Sequence, residues 1–191
     1  MKVSVVNKAG NQAEGWGETP LSVEWVWPSK KAYSVRHKTL IEFCKMIQTR
    51  WKNFGKFGHC IELGHYLIMK DLPNALHEFN LSKSFAAEPM PWLAALVCAS
   101  AFDLAIHDAY GVVNDVPVYQ AYGKEYLSTD LSIFLQPAKG SCVGFGSKYP
   151  SDFLNLKPVS YTHLRAHETG RNRRIRDVHE KKKGGGGGGG G

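Results

Sequence analysis

No two of the four cysteines form a C-x-x-C pair: Cys44, Cys60, Cys98 and Cys142 are scattered along the chain. Free thiols in a reducing compartment are therefore the expected state. No apolar run reaches the roughly 18 residues that a membrane-spanning helix needs, so no membrane association is expected. The opening MKVSVVNKAG lacks an apolar stretch followed by a small-residue cleavage site, and no secretory signal is read there. These absences together predict a cytoplasmic protein. A phosphate-cradling loop is missing as well. Gly144-Phe145-Gly146-Ser147-Lys148 is glycine-rich but does not have the G-x-x-x-x-G-K-[ST] spacing.

Acidic residues are fewer than basic ones, 17 against 24, for a net charge of +7. The excess is unevenly placed. Residues 159–191 hold eight cations (Arg165, Arg171, Arg173, Arg174, Arg176 and Lys181 to Lys183) against Glu168, Asp177 and Glu180, so five of the seven net charges lie there. The body keeps only +2, which argues against nucleic acid as its partner. From Val159 onward neither helical nor strand periodicity is visible, and the chain ends in eight glycines. Such a segment is predicted to be disordered. The string VSYTHLRAHET resembles a translated sequencing-library adapter, and the glycine run resembles homopolymer read-out. That resemblance implies a coding region ending near Pro158. A basic nucleic-acid-binding tail is the other reading.

In the body, Val3 to Val6 reads as a strand, Asn7-Lys8-Ala9-Gly10-Asn11 as a turn, and Ala13 to Gly17 as the returning strand. Two strands alone are marginal, and the chain starts directly on one, so a preceding strand is expected to be missing. Ser29 is a candidate N-cap for an amphipathic helix over 30–53, with Val35, Leu40, Ile41, Cys44, Ile47 and Trp51 inward. Ile61 to Lys70 is a short helix, and Asp71 caps another, with Pro73 in its first turn and Leu76 and Phe79 inward. From Pro91 to about Val113 runs the clearest helix, apolar all round in its first half and therefore expected to be buried. Val116 to Gly123 is a packed turn. From Leu127 to Pro158 the pattern reads as a long connection with one strand, Asp130 to Leu135. The fold class is α+β: an antiparallel hairpin packed on a small helical bundle, with a disordered carboxyl-terminal tail.

Two segments carry a family likeness. Gly15-Trp16-Gly17-Glu18 closes the hairpin. The run Ala101-Phe102-Asp103-Leu104-Ala105-Ile106-His107-Asp108-Ala109-Tyr110-Gly111 is followed by Val116-Pro117-Val118-Tyr119-Gln120 and Gly123. In order and separation these resemble the amino-terminal capping domain of the enolase superfamily, in its mandelate racemase and muconate lactonizing group. The likeness covers residues 1–125, leaving 126–158 as a linker or the start of a barrel and 159–191 as the tail. Val112 stands where the family often has lysine, and Gly123 is followed by Lys124 rather than a second glycine. The resemblance implies a Mg²⁺-dependent racemase, epimerase, cycloisomerase or acid-sugar dehydratase that abstracts a proton next to a carboxylate. It also implies a homo-oligomer when intact and a small carboxylate substrate. Bases and metal ligands are implied to lie in a carboxyl-terminal barrel, so no catalytic or metal residue is expected in this chain, and the chain alone is expected to be inactive.

What such a domain contributes is walls around the substrate. Glu18, Thr19 and Pro20 are the substrate-facing loop candidates, with Trp25 and Trp27 as aromatic walls or as plugs of the sheet–helix seam. Asp103, Asp108 and Gly111 are read as structural, Asp103 pairing with His107 one turn on and Asp108 holding the exit turn. His59, Cys60 and His65 carry zinc-ligand chemistry without a fourth partner at a recognisable spacing. Phe145 and Tyr149 beside Lys148 could stack on bases or simply belong to a surface loop. The rival to the enzyme fragment is a non-catalytic α+β binding module with a basic disordered tail that binds nucleic acid.

Overall fold

The structure, a computed structural model, describes residues 1–83 and 88–154. The tail reading falls on 159–191 and lies outside them. Two strands, β1 (Lys2–Val6) and β2 (Gln12–Trp16), pair antiparallel in the register Val3 to Gly15 and Val5 to Ala13. Asn7 organises the turn between them. Its side-chain oxygen accepts the Ala9 and Asn11 N–H groups, both at 3.0 Å, and Gly10 takes φ +86°. Alternation puts Val3, Val5, Ala13 and Gly15 on one face. Outside, Lys2 bonds Glu14 at 2.8 Å.

Among the described residues five α-helices follow: α1 (Val23–Val26), α2 (Tyr33–Lys52), α3 (Cys60–Tyr66), α4 (Leu72–Ser82) and α5 (Trp92–Val113). The α+β class predicted from the pattern is the one observed. Helix α2 starts three residues later than expected. Ala32 sits at its cap, while the Ser29 hydroxyl accepts the Lys31 N–H inside the preceding turn. Its buried face is Arg36, Leu40, Phe43 and Ile47, spaced 4-3-4, while Val35 and Ile41 are exposed. Helix α3 runs into α4 through a π-helical stretch, Leu67–Asp71. Asp71 therefore caps nothing: its carboxylate accepts from Arg50 of α2 at 2.7 Å.

Helix α5 organises the domain. Its first half lies in a core with α1, α2 and α4, where Phe43 meets Phe79 edge-on at 5.1 Å and Trp51 meets Phe102 at 5.6 Å. Its second half lies under the hairpin. The all-round burial expected of the first half is not observed: Trp92 is 41% and Leu93 39% exposed, and the inward residues are the small Ala94, Ala95, Cys98 and Ala99. Small side chains let neighbouring elements approach closely, so volume rather than hydrophobicity selects the inward face. By length and composition alone α5 could cross a membrane, with a mean hydropathy of 1.4. Its place between the hairpin and α2 accounts for that composition equally well.

After α5 the chain turns sharply. The Val116 N–H donates to Gly111 O at 3.0 Å and Asp115 N–H to Val112 O at 3.2 Å, with Asp115 at φ +52°, the geometry of a Schellman ending. A 3₁₀ turn (Val118–Ala121) follows. The strand expected over Asp130 to Leu135 is instead a 3₁₀ turn, Leu131–Ile133. Asp130 accepts the Ser132 N–H at 3.0 Å and the Ser147 N–H at 2.6 Å, so local side-chain bonding outcompetes a ladder.

Candidate functional site

The residues that carried the family likeness meet physically. A Cβ on Gly15 would stand 2.2 Å from the Ala109 nitrogen and 2.3 Å from the Ala105 oxygen. One on Gly17 would stand 2.1 Å from the Ala101 oxygen. Strand β2 and the residue after it thus lie directly on the main chain of α5, and Gly15 and Gly17 are required by that contact. Asp108 accepts the Trp16 N–H at 2.8 Å. The carboxylate read as holding the exit turn therefore clasps the hairpin to α5. The exit turn is held by Gly111, where a Cβ would meet the Val116 oxygen at 2.9 Å.

Beyond this clasp the chain passes Glu18, Thr19 and Pro20, of which Glu18 and Pro20 are exposed and Thr19 half-buried. The two tryptophans that follow part company. Trp27 is 2% exposed and belongs to the core; Arg36 donates to its carbonyl oxygen and the Lys31 ammonium lies 5.3 Å from its ring centre. Trp25 is 68% exposed on α1. Of the two aromatic wall candidates, Trp27 is buried in the helical core and Trp25 is exposed at the surface of α1.

The densest set of titratable groups lies elsewhere, where α3 and α5 meet the exit turn. His59 caps α3: its Nδ1 accepts the Ile61 N–H at 3.1 Å, and Glu62 accepts the His59 N–H at 3.1 Å. With Nδ1 accepting, Nε2 donates to Ala121 O at 3.0 Å. The Tyr122 hydroxyl and His107 Nδ1 share a hydrogen bond of 2.5 Å, and Cys60 Sγ lies 3.6 Å from the same nitrogen. Asp103 stands 3.8 Å from His107 Nε2, and its oxygen fills the space a Gly64 side chain would need.

Burial decides the protonation of this cluster. It lowers the pKa of His59 and of His107, against the Ala121 carbonyl for the first and the Asp103 carboxylate for the second. It raises Asp103 against the same histidine, so Asp103 and His107 meet as a weak polar contact rather than a strong ion pair. Burial pushes Cys60 up to about 12 and Tyr110 up to about 12. A thiol held protonated is no nucleophile, and His59 is 3% exposed. The cluster anchors the exit turn to α3 and α5.

Glu62 extends the anchor. One of its oxygens accepts from the Ser128 N–H at 2.9 Å and hydroxyl at 2.6 Å, and from the Thr129 N–H and hydroxyl at 3.1 Å each. The sequence carried one signal for this, His59-x-x-Glu62, a capping-box spacing with histidine in place of serine or threonine. Nothing in the spacing pointed to Ser128 or Thr129. His65 faces Phe134, ring centres 5.0 Å apart, so it does not join His59 and Cys60 as a zinc site would require. Among the described residues no three His, Cys, Asp or Glu side chains are arranged to hold a metal ion.

A groove of about 360 Å³ lies between Thr49, Arg50, Asn53 and Phe54 on one side and Lys56, Tyr66 and Asp71 on the other. Its cations are engaged: Arg50 by Asp71 and Glu78, and Lys56 over the Tyr66 ring at 3.6 Å. Around Lys148, the Ser147 N–H is spent on Asp130 and Lys148 N–H on Phe145 O, so the Phe145–Tyr149 stretch is an anchored surface loop. Compared with protein-family models, with curated proteins and with solved structures, the chain matches none of them.

Proposed function

We propose that this chain is the amino-terminal capping piece of an enolase-superfamily enzyme of the mandelate racemase and muconate lactonizing group. In this reading it supplies walls to an active site whose base and Mg²⁺ ligands belong to a barrel on further polypeptide. One observation carries the reading: Gly15, Gly17 and Asp108, which lie in the motifs behind the resemblance, are the residues that clasp the hairpin to α5. A hairpin on a helical layer is the architecture such a lid requires. The loop beyond the clasp supplies Glu18, Thr19 and Pro20, and Trp25 stands exposed on α1.

The parent activity is proton abstraction next to the carboxylate of a small substrate, in a racemase, epimerase, cycloisomerase or dehydratase. The working enzyme is a cytoplasmic homo-oligomer, in keeping with four unpaired cysteines. A Mg²⁺ ion held by the barrel of the parent would supply Lewis-acid stabilisation of negative charge next to the carboxylate. The present chain contributes exclusion of water and contacts to the far end of the substrate.

The test is the genomic sequence on both sides of codons 1–158. The expected result is an open frame that continues into alternating strands and helices. Expressed as a whole, that product exchanges the α-proton of a carboxylate with D₂O in the presence of Mg²⁺. A genomic stop codon directly after Pro158 overturns the proposal.

A further inference from the structure

The groove at the carboxyl-terminal end of α2 draws on three pieces of chain. Arg50 and Asn53 come from α2 and its cap, Phe54 and Lys56 from the loop that follows, and Tyr66 and Asp71 from the opposite wall. That wall is shaped by the π-helical stretch Leu67–Asp71, whose closing bond runs from the Leu72 N–H to the Leu67 oxygen five residues back. On an α-helix the neighbours along one face are three or four residues apart. The wider π turn sets residues five apart above one another. Tyr66 and Asp71 are five apart, so a ring and a carboxylate line the same side.

The rings of Phe54 and Tyr66 stand 5.4 Å apart, tilted by 47°. The Lys56 ammonium lies over both, 3.6 Å from the Tyr66 centre and 5.9 Å from that of Phe54. Ring faces carry the negative part of the aromatic quadrupole and attract cations. Arg50 is held by Asp71 and Glu78. Those three groups together carry one negative charge, and the end of α2 adds the negative pole of its dipole. An anion would have to break both Arg50 pairs to find a partner. A cation meets two ring faces and a surplus of negative charge, and Lys56 is the cation that the chain itself supplies.

We propose that this groove is a binding site for small molecules carrying an alkylammonium group, and that Lys56 occupies the ring pair in the ligand's place until one arrives. The internal occupant is readily exchanged. Lys56 is exposed on its loop beside Gly55, which takes φ +60°, and among the described residues its ammonium makes ring contacts and no ion pair. The volume of about 360 Å³ lies within the roughly 300–1,000 Å³ usual for small-ligand sites. Every group named belongs to this chain, so the site is independent of any barrel.

The experiment titrates the full chain with choline chloride at constant ionic strength and reads saturation transfer from the protein to the choline methyl protons. The uncharged tert-butyl analogue, with carbon in place of nitrogen, is the control of equal shape. Saturable transfer to choline and none to the analogue is expected. Lys56→Ala should bind choline about two- to fivefold more tightly, the equilibrium equivalent of one exposed cation–π contact. Tyr66→Leu and Phe54→Leu, checked for folding by circular dichroism, should lose the binding. The comparison of choline with its analogue needs no variant and decides the requirement for charge by itself. Equal binding of the analogue overturns the proposal, since apolar contact alone then accounts for it. So does choline binding that persists in both ring variants, an affinity that Lys56→Ala leaves unchanged or lowers, or an absence of transfer in every chain.

Discussion

At the ending of α5, Asp115 holds φ +52° where glycine is the residue of least strain. Asp115→Gly is expected to raise stability by up to about 1 kcal/mol, since a left-handed non-glycine residue costs about 1–2 kcal/mol and glycine returns part of that as chain entropy. The urea midpoint reads it; a midpoint that drops would mean the aspartate side chain is needed there. A second residue-scale expectation concerns pH. Burial lowers His59 and His107 below the ordinary 6.5, so the unfolded chain takes up those protons first. Their contribution is complete above pH 6.5 and declines as pH falls below it. Burial acts to raise Glu62, but the bonds from Ser128, His59 and Thr129 prevail and its pKa lies under the usual 4.5. Its contribution therefore survives to lower pH and is lost as pH falls through that lowered value. Melting temperature against pH should show two descending steps, the upper one reduced in His107→Gln. A flat profile between pH 6.5 and 4.5 would remove the neutral-histidine anchor.

Among the elements, the hairpin and α5 depend on each other. Gly15→Ala places a methyl 2.2 Å from main-chain nitrogen, where no rotamer can relieve it. A loss of about 3 kcal/mol or more is expected, at the upper end of overpacking costs, with the hairpin displaced. Amide exchange should rise in β1 and β2 before it rises in α2. Equal protection in variant and parent would mean that the strand is not in contact with α5. The helices and the hairpin were legible because their apolar spacing and turn residues are local. On α2, Leu40 and Ile47 are buried and Cys44 and Trp51 pack on the core as expected, whereas Val35 and Ile41 are exposed and Phe43 is inside. Val35 and Ile41 are as apolar as Leu40 and Ile47, and only the neighbouring helices decide how wide the buried face is. Asp71 read as a cap because a cap is the local use of aspartate, whereas Arg50 lies 21 residues away. The Asp130 turn was missed for the opposite reason: apolar alternation was weighed above a side chain able to bond its own backbone.

For the whole molecule, α5 leaves Trp92, Leu93, Leu104 and Val112 substantially exposed, and Trp16 and Trp25 add to the apolar surface. If this chain is a lid, part of that surface is what a barrel covers. The purified chain is therefore expected to self-associate, with a weight-average mass that rises with concentration in sedimentation equilibrium. A monodisperse monomer with a sharp melting transition would count against it. Replacing Trp92 and Leu93 by serine should reduce the association without lowering the melting point greatly, because neither side chain lies in the core.

The amino-acid sequence alone determined the α+β class, the hairpin, the long helix and the scatter of the thiols, because period, turn residues and spacing are properties of neighbours along the chain. The tertiary structure decided the rest. It turned Asp108 toward the hairpin, made Gly15 and Gly17 obligatory, and brought Cys98 to the backbone of Leu40 and Glu62 to Ser128. Each of these is a contact between residues far apart in the chain. Such a contact depends on how closely two backbones approach, and no local pattern of apolar and polar residues encodes that distance.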